Sequence, residues 1–176
     1  MTGVIVGMRE IQLTQGQVAL VDDQDYEYLN QWKWCAIWSD HTRSFYAMRV
    51  SCDRGQRVTI QMHRLILGIT DPRIKVDHRD SNTLNNQWLN LRVCNNRQNQ
   101  QNTRKRSNCS SQYKGVSWDR KTSRWKSQIQ IPSESAVGTK VHLGYFNLEV
   151  DAAYAYNEAA HKHFGEFAHL NRIEEG

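Results

Sequence analysis

The sequence lacks three features that would place it in common classes of protein. No stretch approaches the roughly 18 uninterrupted apolar residues of a membrane-spanning helix. The first 16 residues have neither the basic start nor the apolar run of a signal peptide, which predicts a cytoplasmic protein. The four cysteines form no C-x-x-C pair, which argues against a zinc knuckle, a redox motif or a disulfide framework and predicts reduced, mostly buried thiols. At 176 residues the chain suits one globular domain or two small ones.

Positive charge is concentrated in one part of the chain. Residues 92–140 contain eleven lysines and arginines against two acidic residues, a net charge of +9, whereas the remainder carries −4 of the total of +5. Glutamine, asparagine, serine and tryptophan are interleaved with these cations. Such a block favours a polyanionic partner, because each cation on a phosphate releases counterions. A merely solvated basic surface is the alternative, and without a basic amphipathic helix a membrane surface is disfavoured.

The first 60 residues consist of short alternating apolar segments, such as "WKWCAIW" and "RVTIQM", which predict antiparallel β-hairpins. Aromatic side chains are expected to supply the core of this half: Trp32, Trp34, Trp38, Phe45 and Tyr46. Next, "QMHRLILGI" has the i, i+3, i+4, i+7 spacing of a short amphipathic helix that closes near Gly68.

The C-terminal part has a different pattern of apolar and polar residues. The segments "YKGVSWD", "RWKSQIQI" and "KVHLGYF" alternate as three strands would, and "NLEVDAAYAYNEAAHKHFG" predicts a helix capped by Asn147 and stopped by Gly165. Along the middle strand, Trp125, Ser127, Ile129 and Ile131 share one side, expected to face the helix. The other side carries Arg124, Lys126, Gln128 and Gln130.

The segment "VDHRDSNTLNNQWLNLRVCNNRQN", residues 76–99, places an adjacent aspartate and histidine before many amide side chains. A carboxylate with an amide oxygen suits Mg²⁺ or Mn²⁺ better than zinc. The His78 imidazole can take a proton from water at neutral pH. These are the components of phosphodiester hydrolysis. Asparagines also occupy turns and helix caps for local reasons, so the spacing leaves both interpretations open.

Together with the preceding "MHRLILG", this segment resembles the HNH endonucleases of the phage and intron-encoded branch. The match carries H-R-L, then D-H-x-D-x-N-x-x-N-N, then N-L-R and a final N, and it runs from residue 62 to 102 without a gap. The resemblance implies a ββα-metal fold (HNH, His-Me finger). Its first strand would hold Val76 to His78, a loop would run through Asn86, and its helix would span Val93 to Asn102.

The same resemblance implies a role for each of four residues. His78 would be the general base that activates water, and Asn90 would fix the loop and the histidine ring. Asp77 and Asn99 would hold a single Mg²⁺ or Mn²⁺ ion. His63 is expected on the helix surface or behind the site rather than as a ligand.

Residues 111–171 are similar to the AP2 DNA-binding domain, with Y-x-G-V, L-G-x-F, E-x-x-A-A-x-A-Y and F-G-x-x-A-x-L-N in order. The resemblance implies a three-stranded antiparallel sheet, packed on one helix, that lies in the major groove of duplex DNA. The residues expected to contact DNA are Lys114, Trp118, Arg120, Arg124, Lys126, Gln128, Gln130, Lys140 and His142.

The expected fold class is therefore α+β. The domains are expected to be 1–102 for the nuclease (hairpins over 1–60, ββα core over 61–102), 103–110 for a linker, 111–171 for the AP2-like domain and 172–176 for a tail.

The predicted function is a metal-dependent HNH endonuclease, similar to homing endonucleases, that nicks duplex DNA at a site chosen by the AP2-like domain. It is expected to act as a monomer, away from membranes, in the cytoplasm of a phage-infected or prophage-carrying bacterium. A non-catalytic DNA-binding regulator is the first alternative. An RNA-binding or structural accessory protein is the second.

Overall fold

A computed structural model describes residues 7–53, 55–103, 105, 109–133 and 138–174. The chain divides into two compact units, Met1–Asn95 and Asn96–Gly176. Most elements are antiparallel strands and the helices are few, which confirms the α+β class. In the described residues, none of the helices has the length and apolar character needed to cross a membrane.

The first unit begins with two antiparallel strands and a short helix. Strands β1 (Met8–Gln12) and β2 (Val18–Asp22) pair with each other, and helix α1 (Asp23–Asn30) follows directly. Two aspartates in the first turn of α1 place negative charge at the positive end of the helix dipole, which stabilises the helix. Leu29 of α1 is buried in the core. Only hairpins were expected over residues 1–60. That prediction missed α1, because its single buried side chain leaves almost no apolar periodicity to read.

A three-stranded antiparallel sheet forms the middle of the first unit. Its strands are β3 (Cys35–Ser39), β4 (Ser44–Asp53) and β5 (Gln56–Gln61), with β4 central, and helix α2 (Met62–Ile66) follows. Gly68 lies just beyond α2 with a positive φ of 65°, as the sequence predicted. The buried core of the unit consists of Ile11, Ala19, Val21, Leu29, Trp34, Ala47 and Met62.

The aromatic side chains of this half are not all part of that core. Trp34 is buried and donates its indole N–H to the Leu29 carbonyl oxygen, whereas Trp38 is 48% exposed. The prediction of Trp38 as a core residue was wrong. Its indole N–H is bonded to the Asp40 carboxylate at the end of the β3–β4 hairpin, a partner available only on the outside.

The last elements of the first unit are strands β6 (Lys75–His78) and β7 (Leu91–Cys94), which pair antiparallel. The long loop between them is fixed to strand β2, because the Leu20 amide donates to Leu84 and the Asn86 amide donates to Leu20. A helix was expected to begin at Val93. Instead Val93 pairs with Val76 across the hairpin, so helix α3 begins only at Asn96.

Helix α3 (Asn96–Gln101) belongs to the second unit, so the predicted boundary after residue 102 lies within that unit. The ammonium group of Lys114 donates to the carbonyl oxygens of Gln101 and Thr103, which ties the end of α3 to this unit. Half of the linker predicted over residues 103–110 and the end of the predicted tail lie outside the described residues.

The rest of the second unit is a three-stranded sheet with one long helix. Strands β8 (Val116–Asp119), β9 (Arg124–Ile131) and β10 (Thr139–Phe146) are antiparallel in the order β10-β9-β8, and helix α4 (Glu149–Phe164) packs on one face. Buried alanines of α4 at 152, 153 and 160 allow close contact with the sheet. Gly165 ends α4 as predicted, but its N-cap is Leu148 rather than Asn147.

Candidate functional site

The sheet of the second unit has one covered face and one exposed polar face. On β9, Ser127 and Ile129 are buried, and Ile129 packs with Tyr156, Ala160 and Phe164 of the second unit. The alternating positions point the other way, where Arg124 and Gln130 are exposed and Lys126 and Gln128 are half-buried. The division of β9 into two faces therefore agrees with the prediction.

Strand pairing identifies which flanking residues share that exposed side. Lys140 lies opposite Gln130, and His142 lies opposite Gln128. We define the polar face by its strand residues: Arg124, Lys126, Gln128, Gln130, Lys140, His142 and Tyr145. Arg120 is exposed in the β8–β9 turn beside it.

Tyr145 was not among the predicted DNA contacts. A register shift between His142 and Gly144 places Tyr145 opposite Lys126, so it joins the polar face three residues after His142. Its ring centroid is 4.6 Å from that of His142. The signal was Gly144, whose φ of 139° marks the irregularity, but simple alternation puts position 145 on the opposite face.

Two predicted DNA contacts lie elsewhere. Trp118 pairs directly with Trp125, on the side that α4 covers, and their ring centroids are 5.1 Å apart. Because the register of β8 is set by the length of the β8–β9 turn, sequence alternation alone could not assign this face. Lys114 is half-buried, and its ammonium group contacts the end of α3.

The β6–β7 hairpin of the first unit carries His78 in a buried position beside two other rings. His78 is 4% exposed, and its ring centroid lies 5.2 Å from that of His63 and 6.3 Å from that of Tyr46. His63, on α2, is itself only 6% exposed. Of the two places expected for His63, the structure excludes the helix surface and puts it directly behind His78.

Both imidazoles favour the neutral form. Burial lowers the pKa of His63 to about 3, and the neighbouring His78 and Arg64 act in the same direction. Burial also lowers the pKa of His78, although the Asn86 side chain and the carboxylates of Asp80 and Asp77 offset part of this effect. A neutral imidazole at pH 7 is the form that can accept a proton.

Asn90 holds the loop that follows His78. Its side-chain oxygen accepts from the Asp80 amide, and its side-chain NH₂ donates to the Asp80 carboxylate and the Asn85 carbonyl oxygen. Its backbone carbonyl accepts from the amide of Arg79. Fixing the loop was the part assigned to Asn90 by resemblance, and these contacts agree with it.

Asp22, at the end of β2, supports the same loop and was not identified from sequence. Its carboxylate is buried and accepts from the Gln87 side chain at 3.0 Å and from the Trp88 amide at 2.8 Å. Nothing in the local sequence distinguishes it from the neighbouring Asp23. Its role depends on a contact 65 residues along the chain.

Asp77 is paired with an arginine. It lies opposite Arg92 in the hairpin, and its Oδ2 accepts from Arg92 Nε at 2.8 Å and Nη2 at 2.6 Å. Both side chains are about 7% exposed or less. The guanidinium group therefore supplies the positive charge that Asp77 was expected to receive from a metal ion.

The two predicted metal ligands belong to different compact units of the chain. Asp77 already carries the Arg92 guanidinium, and Asn99 lies on α3, an element of the second unit. Among the described residues, no three His, Cys, Asp or Glu side chains are grouped so that they could hold a metal ion. The metal-binding roles of Asp77 and Asn99 stay predictions.

Comparison with known proteins found one similarity, to an element-binding protein of Arabidopsis thaliana. The chain is 41% identical over 67 residues to dehydration-responsive element-binding protein 2D of Arabidopsis thaliana. The match covers 38% of this chain and 31% of that protein, so the chain spans about a third of its length. No family model matches the chain, and no solved structure matches it. The similarity supports an AP2-like DNA-binding domain and gives no support to the HNH resemblance.

Proposed function

We propose that this chain is a sequence-specific duplex-DNA-binding protein that contacts DNA through the polar face of the β8–β10 sheet. The supporting observation is that strands β9 and β10 present cations, amides and an aromatic ring on one side of the sheet, while α4 covers the other side. The relative is named as an element-binding protein, which is consistent with this proposal.

The side chains of the polar face suit two kinds of contact. Arg124, Lys126 and Lys140 carry charges that bind phosphates without regard to sequence. Gln128 and Gln130 can pair bidentately with adenine, and each good pair discriminates by about 1–3 kcal/mol. Affinity should therefore depend on the cations and specificity on the glutamines.

Fluorescence anisotropy with a duplex chosen by selection from random DNA tests this division. Lys126→Ala should weaken binding to all duplexes and reduce the salt slope by about 1. Gln128→Ala should instead reduce discrimination between the selected and scrambled duplexes. Lys162→Ala is the matched control, because Lys162 is exposed on α4. Unchanged affinity in both polar-face variants would contradict the proposal.

A second proposal is that the first unit acts as an HNH-type nuclease on the bound DNA. The observation that favours it is the neutral, buried His78, held beside a loop that Asn90 fixes. In this proposal His78 takes a proton from the attacking water, and His63 and Tyr46 shield it from bulk solvent. Any requirement for Mg²⁺ or Mn²⁺ is part of the proposal.

Nicking of supercoiled plasmid, with Mg²⁺, with Mn²⁺ and with chelator, tests the nuclease proposal. His78→Ala should abolish nicking, whereas His41→Ala, an exposed histidine of the same unit, should not. Failure of the wild-type protein to nick under any of these conditions would remove the nuclease proposal and leave DNA binding intact. If His78→Ala nicked as fast as the wild-type protein, the proposed role of His78 as the proton acceptor would be wrong.

A further inference from the structure

The second unit contains a pocket where strand β9 extends beyond its neighbour. Strand β8 pairs with β9 only from Arg124 to Ser127, and the Gly115 carbonyl then accepts from the Gln128 amide. Beyond that point β9 continues to Ile131 with β10 on one side. Residues of α3 line the other side of a cavity of about 330 Å³, which we call the α3 pocket.

The α3 pocket is lined by two cations, and no aspartate or glutamate is among its described lining residues. Arg97 comes from α3 and Lys114 from the segment before β8. The Lys114 ammonium donates to two backbone carbonyls, which are dipoles and carry no net charge. Burial lowers the pKa of Lys114 to about 8. The Lys114 side chain is half-buried, and the exposed Arg97 guanidinium donates to the Ser133 carbonyl oxygen. Two neighbouring cations at the pocket attract an anion.

Four glutamines are also among the residues that line it: Gln100, Gln101, Gln128 and Gln130. A glutamine side chain offers a donor and an acceptor side by side, which matches the edge of a nucleobase. Ile129 and Phe164 add apolar wall against which a planar ring can lie. The volume is at the lower end of the roughly 300–1,000 Å³ typical of small-molecule sites.

The α3 pocket adjoins the proposed DNA-binding surface, since Gln128 and Gln130 belong to both. We propose that it binds one nucleotide, with the phosphate on Arg97 and Lys114 and the base edge on the glutamine amides. The nucleotide is either an unpaired one from the bound DNA or a free mononucleotide. The DNA source rests on the proposed DNA-binding function, whereas the mononucleotide source does not.

Isothermal titration of the full chain with deoxynucleoside monophosphates tests the pocket directly. Wild-type protein should bind a monophosphate, and Arg97→Ala should weaken that binding roughly ten- to a hundredfold, the loss expected for a charge-assisted hydrogen bond. Gln100→Ala, on the exposed surface of α3, should weaken it without affecting the fold. Gln112→Ala is the matched control, because Gln112 is exposed and does not line the pocket.

A second measurement distinguishes the two sources. A duplex with a short single-stranded overhang should bind more tightly than the blunt duplex, and Arg97→Ala should remove only that difference. Free mononucleotide should compete for the overhang advantage if both occupy the pocket.

Three results would overturn the proposal. The first is that the protein binds neither a monophosphate nor an overhang. The second is that Arg97→Ala and Gln100→Ala leave nucleotide binding unchanged. The third is that inorganic phosphate binds as tightly as every nucleotide. Failure to bind blunt duplex would instead count against the proposed DNA-binding function, and the mononucleotide titration would still decide the pocket.

Discussion

The first unit buries ionisable side chains, whereas the second buries only neutral polar ones among the residues that the structure describes. The buried polar set of the first unit is Asp22, His63, Asp77, His78, Asn86 and Arg92. That of the second is Asn102, Ser111 and Ser127. Of these, Asp77 and Arg92 need each other, because a buried charge without its partner is strongly destabilising. In the second unit apolar packing between α4 and the sheet forms the core, which leaves the polar face exposed.

The largest expected effect comes from breaking the Asp77–Arg92 ion pair. Arg92→Leu leaves the Asp77 carboxylate buried without its guanidinium, which should lower the free energy of unfolding of the first unit by about 3–5 kcal/mol. Urea denaturation, monitored by the NMR signal of the Trp34 indole, which is buried in that unit, measures the loss of stability. The signal of Trp125 in the second unit should be unaffected.

The double variant Asp77→Leu with Arg92→Leu is the control for this ion pair. Replacing both partners by apolar groups is often neutral or stabilising, so the double variant should be more stable than Arg92→Leu alone. A single variant as stable as the wild type would show that the first unit does not depend on its buried charges.

A smaller effect, confined to the second unit, is expected from Gly115→Ala. A Cβ atom at this position would lie 2.0 Å from the Tyr156 ring and 2.8 Å from the Gln128 carbonyl oxygen. Such overpacking typically costs about 1–3 kcal/mol, and the φ of 79° adds strain. Urea denaturation should show a lower midpoint for the Trp125 signal only.

Gly165→Ala separates these two causes. Gly165 also has a positive φ, of 53°, but an added Cβ would meet nothing within 4 Å. Gly165→Ala should therefore lose only the stability that backbone strain at this φ costs. If Gly115→Ala lost no more stability than Gly165→Ala, the close contact with Tyr156 would be unimportant.

Within about one pH unit of neutrality, the smallest effect is that of pH, and it should again separate the units. The pKa of His63 is lowered from 6.5 to about 3, so between these values the unfolded state binds more protons than the folded state. The stability of the first unit should therefore fall as pH falls from about 6.5 toward 3, and the lowered pKa of His78 acts in the same direction. Asp25 acts oppositely, because burial raises its pKa.

Urea midpoints at several pH values, read from the Trp34 and Trp125 signals, test this dependence. His63→Phe should reduce the fall in the first unit, whereas His161→Phe, an exposed histidine of α4, should not. An equal fall in both units of the wild-type protein would be evidence against a role for the buried imidazoles.

Much of the second unit was predictable, because its elements follow strong local patterns. Alternation along β9 separated Arg124 from Ile129, and Gly165 marked the end of α4. The errors arose where geometry depends on an irregularity or a distant contact. A register shift places Tyr145 on the polar face, and the Lys114 ammonium group donates to the Gln101 carbonyl oxygen at the end of α3.

The site in the first unit was predictable only in part. The resemblance singled out His78 and Asn90, which lie in one contiguous segment, and the catalytic role of His78 stays a prediction. It could not show that His63 lies behind His78 or that Arg92 faces Asp77. Those contacts depend on where α2 packs and on the hairpin register, which no local pattern specifies.

Local sequence pattern was enough to specify the concentration of positive charge, the two faces of β9 and the order of strands and helix in the second unit. These follow from composition and from periods of 2 and 3.6 residues, which are local properties. Only the tertiary structure decided that Asp77 pairs with Arg92 and that α3 belongs to the second unit. The physical reason is that burial and ion pairing depend on residues far apart in the chain. Which of these residues binds a given carboxylate or carbonyl group therefore depends on how the chain packs.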